Sequence, residues 1–180
     1  YEGRRTGGTH RGYWDYEGGG MCDMGQHHFD PEQWTYAKDY TSAVEITPFA
    51  PPAHPEVTGM WAWVELKYAD GFRFVMESTE WGPKYDQAPI RDVSMNDLSP
   101  ENQEKIKAMP DPEPLLSFGE AVKQRKKAGG HAEAAHRAAC ILHLANLAIR
   151  LGRKLNYDPD KEVFVNDEEA NRFLHPPMSA

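Results

Sequence analysis

Asp23, His27 and Asp30 recur at i, i+4 and i+7, shortly after three consecutive glycines, Gly18-Gly19-Gly20. On one helix that spacing stacks the three side chains on a single face, with neighbouring Cβ atoms roughly 5–6 Å apart. A carboxylate beside an imidazole holds a general base in one orientation, and histidine has the intrinsic pKa for taking a proton near neutral pH. The same spacing also suits a cap-and-staple cluster on a solvated helix. A third reading is a metal centre drawing on Asp23, His27, His28 and His10, which offer oxygen and nitrogen ligands. His28 lies about 100° round a helix from His27, so the two cannot point straight at one ion. With no firm third ligand, no metal is assigned. Spacing alone leaves the acid–base pair and the staple both open.

Other chemistries lack their signatures. Cys22 abuts Asp23, but no neighbour activates it as a nucleophile. There is no phosphate loop, no Gly-x-Ser-x-Gly elbow and no Cys-x-x-Cys pair. Gly18-Gly19-Gly20 has neither the spacing of a dinucleotide fingerprint nor a preceding parallel strand. Upstream, residues 1–17 are rich in glycine, arginine and aromatics, which suits an ordered loop or edge segment better than a linker. Arg11 and Trp14 in it could face a polar ligand, or an arginine stacked on aromatics could simply pin the loop.

The elements that must position these residues follow in order. A helix is expected from about Met21 to Ala37, with a kink or restart at Pro31, which cannot donate to the carbonyl of His27. Residues 43–48 alternate apolar and polar, and 58–68 and 72–77 flank Asp70-Gly71, a strong hairpin signal. Trp61 and Trp63 then fall on one strand face. Ser99-Pro100 opens a helix, with serine as cap and proline in the first turn. Ser117 and Glu120 form a capping box for another, expected to end near Gly129-Gly130. The longest helix runs from about His131 to Lys154, where Ala135, Ala138, Ala139, Leu142, Ala145 and Ile149 trace an apolar stripe. His136 and His143 are read there as packed, hydrogen-bonded histidines. Asn166-Asp167-Glu168-Glu169 caps a last short helix.

Length and charge bound the partners. The 180 residues suit one domain with a real core, and the 39% hydrophobic and 27% charged content is ordinary for a globular chain. A net charge of −8, with Lys123–Lys127 as the one short basic run, argues against nucleic acid or an anionic lipid surface as partner. No apolar run approaches the roughly 20 residues of a membrane-spanning helix. Two cysteines, Cys22 and Cys140, form no disulfide framework and leave the compartment unknown. The chain opens on Tyr1-Glu2-Gly3 without an initiator methionine and is read as a piece of something longer.

Two stretches carry a family resemblance. Arg11-Gly12-Tyr13-Trp14-Asp15-Tyr16-Glu17-Gly18-Gly19-Gly20, continuing through Asp23-x-Gly25-x-His27-x-x-Asp30, resembles the Gfo/Idh/MocA oxidoreductases, the relatives of glucose-fructose oxidoreductase and inositol dehydrogenase. The C-terminal run from His143 through Asn146, Arg150, Gly152, Arg153 and Lys154 to Asp158-Pro159 and Asp167–Arg172 resembles the same family's bacterial-type C-terminal α/β domain. The likeness spans nearly the whole chain. It implies an α+β fold, an open and mainly antiparallel sheet packed on one face by helices. Residues 1–180 would then be the C-terminal substrate-binding and dimerisation domain, with the N-terminal Rossmann domain for NAD or NADP lying outside this chain. The cofactor would be held there, the chain alone holding none and being inactive alone.

By the same resemblance, Asp23 and His27 match the acid/base pair that acts on a sugar or cyclitol hydroxyl during hydride transfer. His10, Arg11, Trp14 and Asp30 become candidates for holding the substrate. A homo-oligomer through the open sheet face is also implied. The alternatives are a non-catalytic assembly domain of the family and an NAD-dependent glycoside-cleaving member.

Overall fold

The Asp70-Gly71 turn nucleates the sheet. Gly71 adopts φ +87°, a left-handed conformation that costs glycine no Cβ clash, and Phe72 donates its backbone N–H to the Asp70 carboxylate at 3.0 Å. The computed structural model describes residues 9–78, 80–86, 94–110 and 114–174. The turn joins β2 (Trp63–Lys67) to β3 (Arg73–Glu77), and β1 (Glu45–Phe49) pairs on the far side of β2. Two strands that the sequence pattern does not announce, β4 (Leu155–Asp158) and β5 (Val163–Phe164), complete an open antiparallel sheet in the order β3-β2-β1-β4-β5. They are too short to show a period of two; β4 is a strand by pairing with β1, about a hundred residues earlier, and β5 by pairing with β4.

Six α-helices stand among the described residues. α1 (Gly19–Cys22) and α2 (Gly25–Thr35) replace the single helix expected over Met21–Ala37. The restart falls at Asp23, whose φ −79° and ψ −91° leave helical geometry. Pro31 instead lies inside a continuous α2, removing only one donor from the ladder. α3 (Pro100–Lys107) and α4 (Phe118–Gln124) have the expected caps: Ser99 accepts from the Asn102 amide, and Ser117 and Glu120 close a reciprocal box. α4 stops at Gln124, earlier than Gly129-Gly130, because Arg125 turns left-handed at φ 51°. α5 (Ala132–Leu151) is the long helix, and Asp167 caps α6 (Glu168–Asn171) through the Ala170 amide.

By contact the chain forms two units: Tyr1–Tyr85 with Ala132–Ala180, and Asp86–His131. The first contains the sheet. The inner sheet face carries Ile46, Val64, Leu66 and Met76, fully buried against Ile141, Leu142, Ala145, Ala148 and Ile149 of α5. The alanines bring the helix axis close to the strands, and burying these side chains is the main term holding the unit together, at about 1.5–3 kcal/mol for each large aliphatic group. The second unit contains the 3-10 helix Met95–Asp97, α3 and α4. Its side chains from Val122 through Lys127 are exposed, as expected for a solvated basic run.

The outer sheet face is aromatic and charged. Phe49 stacks on Trp63, its register partner, at 5.2 Å between ring centroids, with Trp81 and Tyr85 packed against the pair. Trp61 does not share this face as expected. It precedes β2, escapes the strand's alternation and packs against the core cluster.

One ion-pair cluster on the sheet has a pH consequence. Glu45 accepts from Lys154 and, at 2.9 Å, from Lys67, and these two ammonium groups lower its pKa from 4.5 to about 2. A carboxyl depressed on folding stabilises the fold above its unfolded pKa and loses that contribution as pH falls through the folded value. The loss therefore runs from about pH 4.5 down to about 2, and the exposure of the lysines holds it to roughly 1 kcal/mol or less. Urea midpoints of Glu45→Gln should accordingly fall less steeply across this window than those of the parent chain; parallel slopes would contradict the assignment.

Candidate functional site

The glycine stretch is a sharp turn pinned from far along the chain. Gly18 and Gly19 adopt φ +79° and +73°. Asn146 of α5, 128 residues away, donates its amide to the Gly18 carbonyl at 2.7 Å and contacts the Cys22 sulfur at 3.0 Å. A Cβ on Gly19 would stand 2.5 Å from the Thr58 hydroxyl oxygen. The preceding segment is tied to the same place: Thr58 donates to the Gly12 carbonyl, Trp14 donates its backbone N–H to the Glu56 carbonyl, and the Trp14 indole donates to the His54 carbonyl at 2.9 Å. Residues 9–17 thus form the ordered loop or edge segment that the composition suggested, carrying an isolated bridge between Tyr13 and Val57, while residues 1–8 of that expectation lie outside the described residues.

A cleft of about 420 Å³ opens beside this turn. Its floor is the backbone of Gly18, Gly19 and Gly20, its sides include His28, Trp14 and Trp61, and Glu77 and Glu80 stand at its wall. The volume is within the usual range for a small-molecule site, and the mix of aromatic rings with a few polar groups is the usual lining.

The helix restart separates the residues that spacing alone would stack. Asp23 sits between α1 and α2 and pairs with Arg11 at 2.5 Å. Among the described residues no hydrogen bond or ion pair joins it to His27. His27 and Asp30 both lie on α2, three residues apart, with His27 exposed and Asp30 half-buried. His10 and Arg11 converge instead on Glu17, whose Oε2 lies 3.9 Å from the His10 ring and 3.6 Å from the Arg11 guanidinium. Trp14 lines the cleft; His10, Arg11, Asp23, His27 and Asp30 do not. Among the described residues no three His, Cys, Asp or Glu side chains are grouped to hold a metal ion.

The neighbouring thiol is inert. Burial pushes Cys22 up to about 11, against a smaller opposing pull from the Asn146 hydrogen bond, so almost none is thiolate near neutral pH. On α5, His136 is hydrogen-bonded to Glu162 at 2.7 Å as expected, but its side chain is exposed instead of packed. His143 has no such partner among the described residues, and desolvation draws its pKa down.

Four residues of this region carry no local motif: Glu17, Thr58, Trp61 and Asn146. Asn146 alone left a signal, a polar residue in the apolar stripe of α5, which is the kind of buried polar group that marks a specific hydrogen bond. Among the described residues there is no parallel β-α-β unit. No described helix is long and apolar enough to cross a membrane.

Comparison with protein families gives a match to the oxidoreductase family's C-terminal alpha/beta domain over residues 1–180. Comparison with curated proteins and with solved structures gives no match.

Proposed function

From the premise that this chain belongs to the Gfo/Idh/MocA oxidoreductase family as its C-terminal α/β domain, we propose that it forms the substrate-facing half of an NAD(P)-dependent sugar or cyclitol oxidoreductase. The observation that carries the reading is the cleft built on the Gly18–Gly20 backbone, with Trp14 and Trp61 as flat walls and His28, Glu77 and Glu80 as polar groups. Aromatic faces pack against the C–H faces of a ring while carboxylates accept from its hydroxyls.

In this reading His27, on α2 beside the cleft-lining His28 but outside the lining itself, acts on a substrate hydroxyl that projects from the cleft, taking its proton at a ring nitrogen as the adjacent C–H bond gives up hydride. A nicotinamide held by the partner Rossmann domain would supply the hydride acceptor. Asp23 binds or orients the reacting hydroxyl from the break before α2. Its pair with Arg11 is exposed enough, with Arg11 56% accessible, to exchange for a substrate contact at little cost. Arg11, His10 and Asp30 then hydrogen-bond to outlying hydroxyls.

The test is turnover of the full-length protein with NAD(H) and NADP(H) across sugars, cyclitols and glycosides. Cofactor-linked oxidation of at least one polyol is expected, with none by residues 1–180 alone. A full-length protein that binds nicotinamide cofactor yet oxidises no sugar or cyclitol defeats the reading, and glycoside cleavage in its place selects the glycoside-cleaving alternative.

A second reading concerns assembly. The stacked Phe49–Trp63 pair with Trp81 and Tyr85 gives the outer sheet face an aromatic patch of the kind enriched at protein interfaces. We propose that two copies associate through it. Sedimentation at micromolar concentration should show a dimer that Trp63→Glu dissociates; a monomeric parent chain overturns this.

A further inference from the structure

A second and larger cavity, about 590 Å³, lies between the Trp14–Gly18 segment, α5 and the β4–β5 hairpin. It shares Trp14, Gly18 and Asn146 with the cleft above but has its own chemistry. Most of its charged groups already have partners. His136 is bonded to Glu162, Glu162 also faces Arg137 at 3.4 Å, and Lys161 pairs with Asp158 at 3.2 Å.

Arg150 does not. Its guanidinium carbon lies 4.8 Å from the Phe173 ring centroid and 5.7 Å from that of Trp14, within cation–π range of both. Its one charge contact is Asp15 at 3.9 Å, beyond hydrogen-bond reach, and among the described residues none of its five N–H donors makes a hydrogen bond. A half-buried guanidinium beside two aromatic rings, with its donors unspent, suits a bidentate partner such as a carboxylate or a phosphate.

Glu17 also lines the cavity, and its buried Oε2 makes no hydrogen bond, the nearest cations, Arg11 and His10, standing at 3.6 and 3.9 Å. That acceptor is still open to an O–H or N–H donor; a hydroxylated anion supplies one on an atom separate from its anionic group, whereas inorganic phosphate has its O–H on the anionic centre itself. We propose that this cavity binds a small hydroxylated anion, its anionic group on the Arg150 fork and a hydroxyl donating to Glu17. The shared chemistry covers sugar acids and sugar phosphates. No part of the proposal requires the oxidoreductase reading.

The experiment is calorimetric titration of the full chain, without nicotinamide cofactor, against gluconate, glucose 6-phosphate, inorganic phosphate and neutral glucose. At least one of the two hydroxylated anions should bind, more tightly than either phosphate or glucose, and which one binds distinguishes carboxylate from phosphate. Arg150→Met should weaken that binding about 10- to 100-fold, and Arg150→Lys, which keeps the charge but not the fork, about 5-fold or more.

Arginine-selective labelling by phenylglyoxal, read by mass spectrometry on the parent chain, keeps the test independent of whether the variants fold. The bound anion should protect Arg150 and leave Arg153, already bonded to Asp167, unchanged in its labelling. Equal binding of glucose, equal binding of inorganic phosphate, unchanged affinity in a folded Arg150→Met, or no protection of Arg150 would each overturn the proposal. Absence of dehydrogenase turnover would leave it standing.

Discussion

Replacing His27 by alanine in the full-length protein lowers turnover about 100- to 10,000-fold, the range supplied by a positioned general base. The fold should not suffer. His27 is exposed on α2 and makes no side-chain hydrogen bond among the described residues, so its loss stays within roughly 0.5 kcal/mol of stability, and alanine favours a helix. Binding of NAD(H), assigned to the partner domain, should be nearly intact. His28 provides the internal comparison because it, and not His27, lines the Gly18–Gly20 cleft. His28→Ala should raise KM more than it lowers kcat, as loss of a contact equal in ground and transition states does. Undiminished turnover in His27→Ala removes His27 from the mechanism, and a large kcat loss in His28→Ala alone moves the base to His28.

The largest stability effect is expected at Gly19. An alanine there would be forced into φ +73°, a region costing an L-residue roughly 1–2 kcal/mol, and its Cβ would meet Thr58 Oγ1 at 2.5 Å and Thr58 Cβ at 2.9 Å. Strain and overpacking together should destabilise the chain by about 2–4 kcal/mol in urea titrations. Thr58→Ala in the same chain removes the hydroxyl oxygen but leaves the Thr58 Cβ, so it should recover part of the loss and no more. Gly20→Ala is the control, since nothing lies within 4 Å of an added Cβ and its φ is not positive; it should fall within roughly 0.5 kcal/mol of the parent. A Gly19→Ala chain as stable as Gly20→Ala would show that the turn adapts, and that the tie through Thr58 is not what shapes the cleft.

Local signals in the sequence were legible. Asp70-Gly71 gave the hairpin because a short turn, here Ala69–Gly71 closed by the bond from the Tyr68 amide to the Phe72 carbonyl, encodes its own geometry. Ser99-Pro100, Ser117 with Glu120, and Asp167 gave helix starts because a cap is a contact across three residues. The apolar stripe gave α5. The elements that escaped are those whose causes lie far along the chain. β4 is a strand because Leu155 and Asn156 pair with Ile46 and Glu45. Trp61 falls outside β2 because the strand begins at Trp63, five residues later than the start expected at 58.

Residue types and their order determined much of this protein by themselves. They gave the family, the α+β class, the hairpin, the long helix and the candidates Asp23, His27 and Asp30, since each of these rests on chemistry or spacing that adjacent residues carry. Tertiary structure alone decided what those candidates touch. The break at Asp23 turned its carboxylate to Arg11 instead of His27, and Asn146 and Thr58 fixed the glycine turn into the floor of a cleft. Arg150 reached Trp14 and Phe173 only when α5 packed beside the N-terminal segment and the end of α6. Such pairings cost loop-closure entropy that burial of the core repays, and no spacing within a single helix records them.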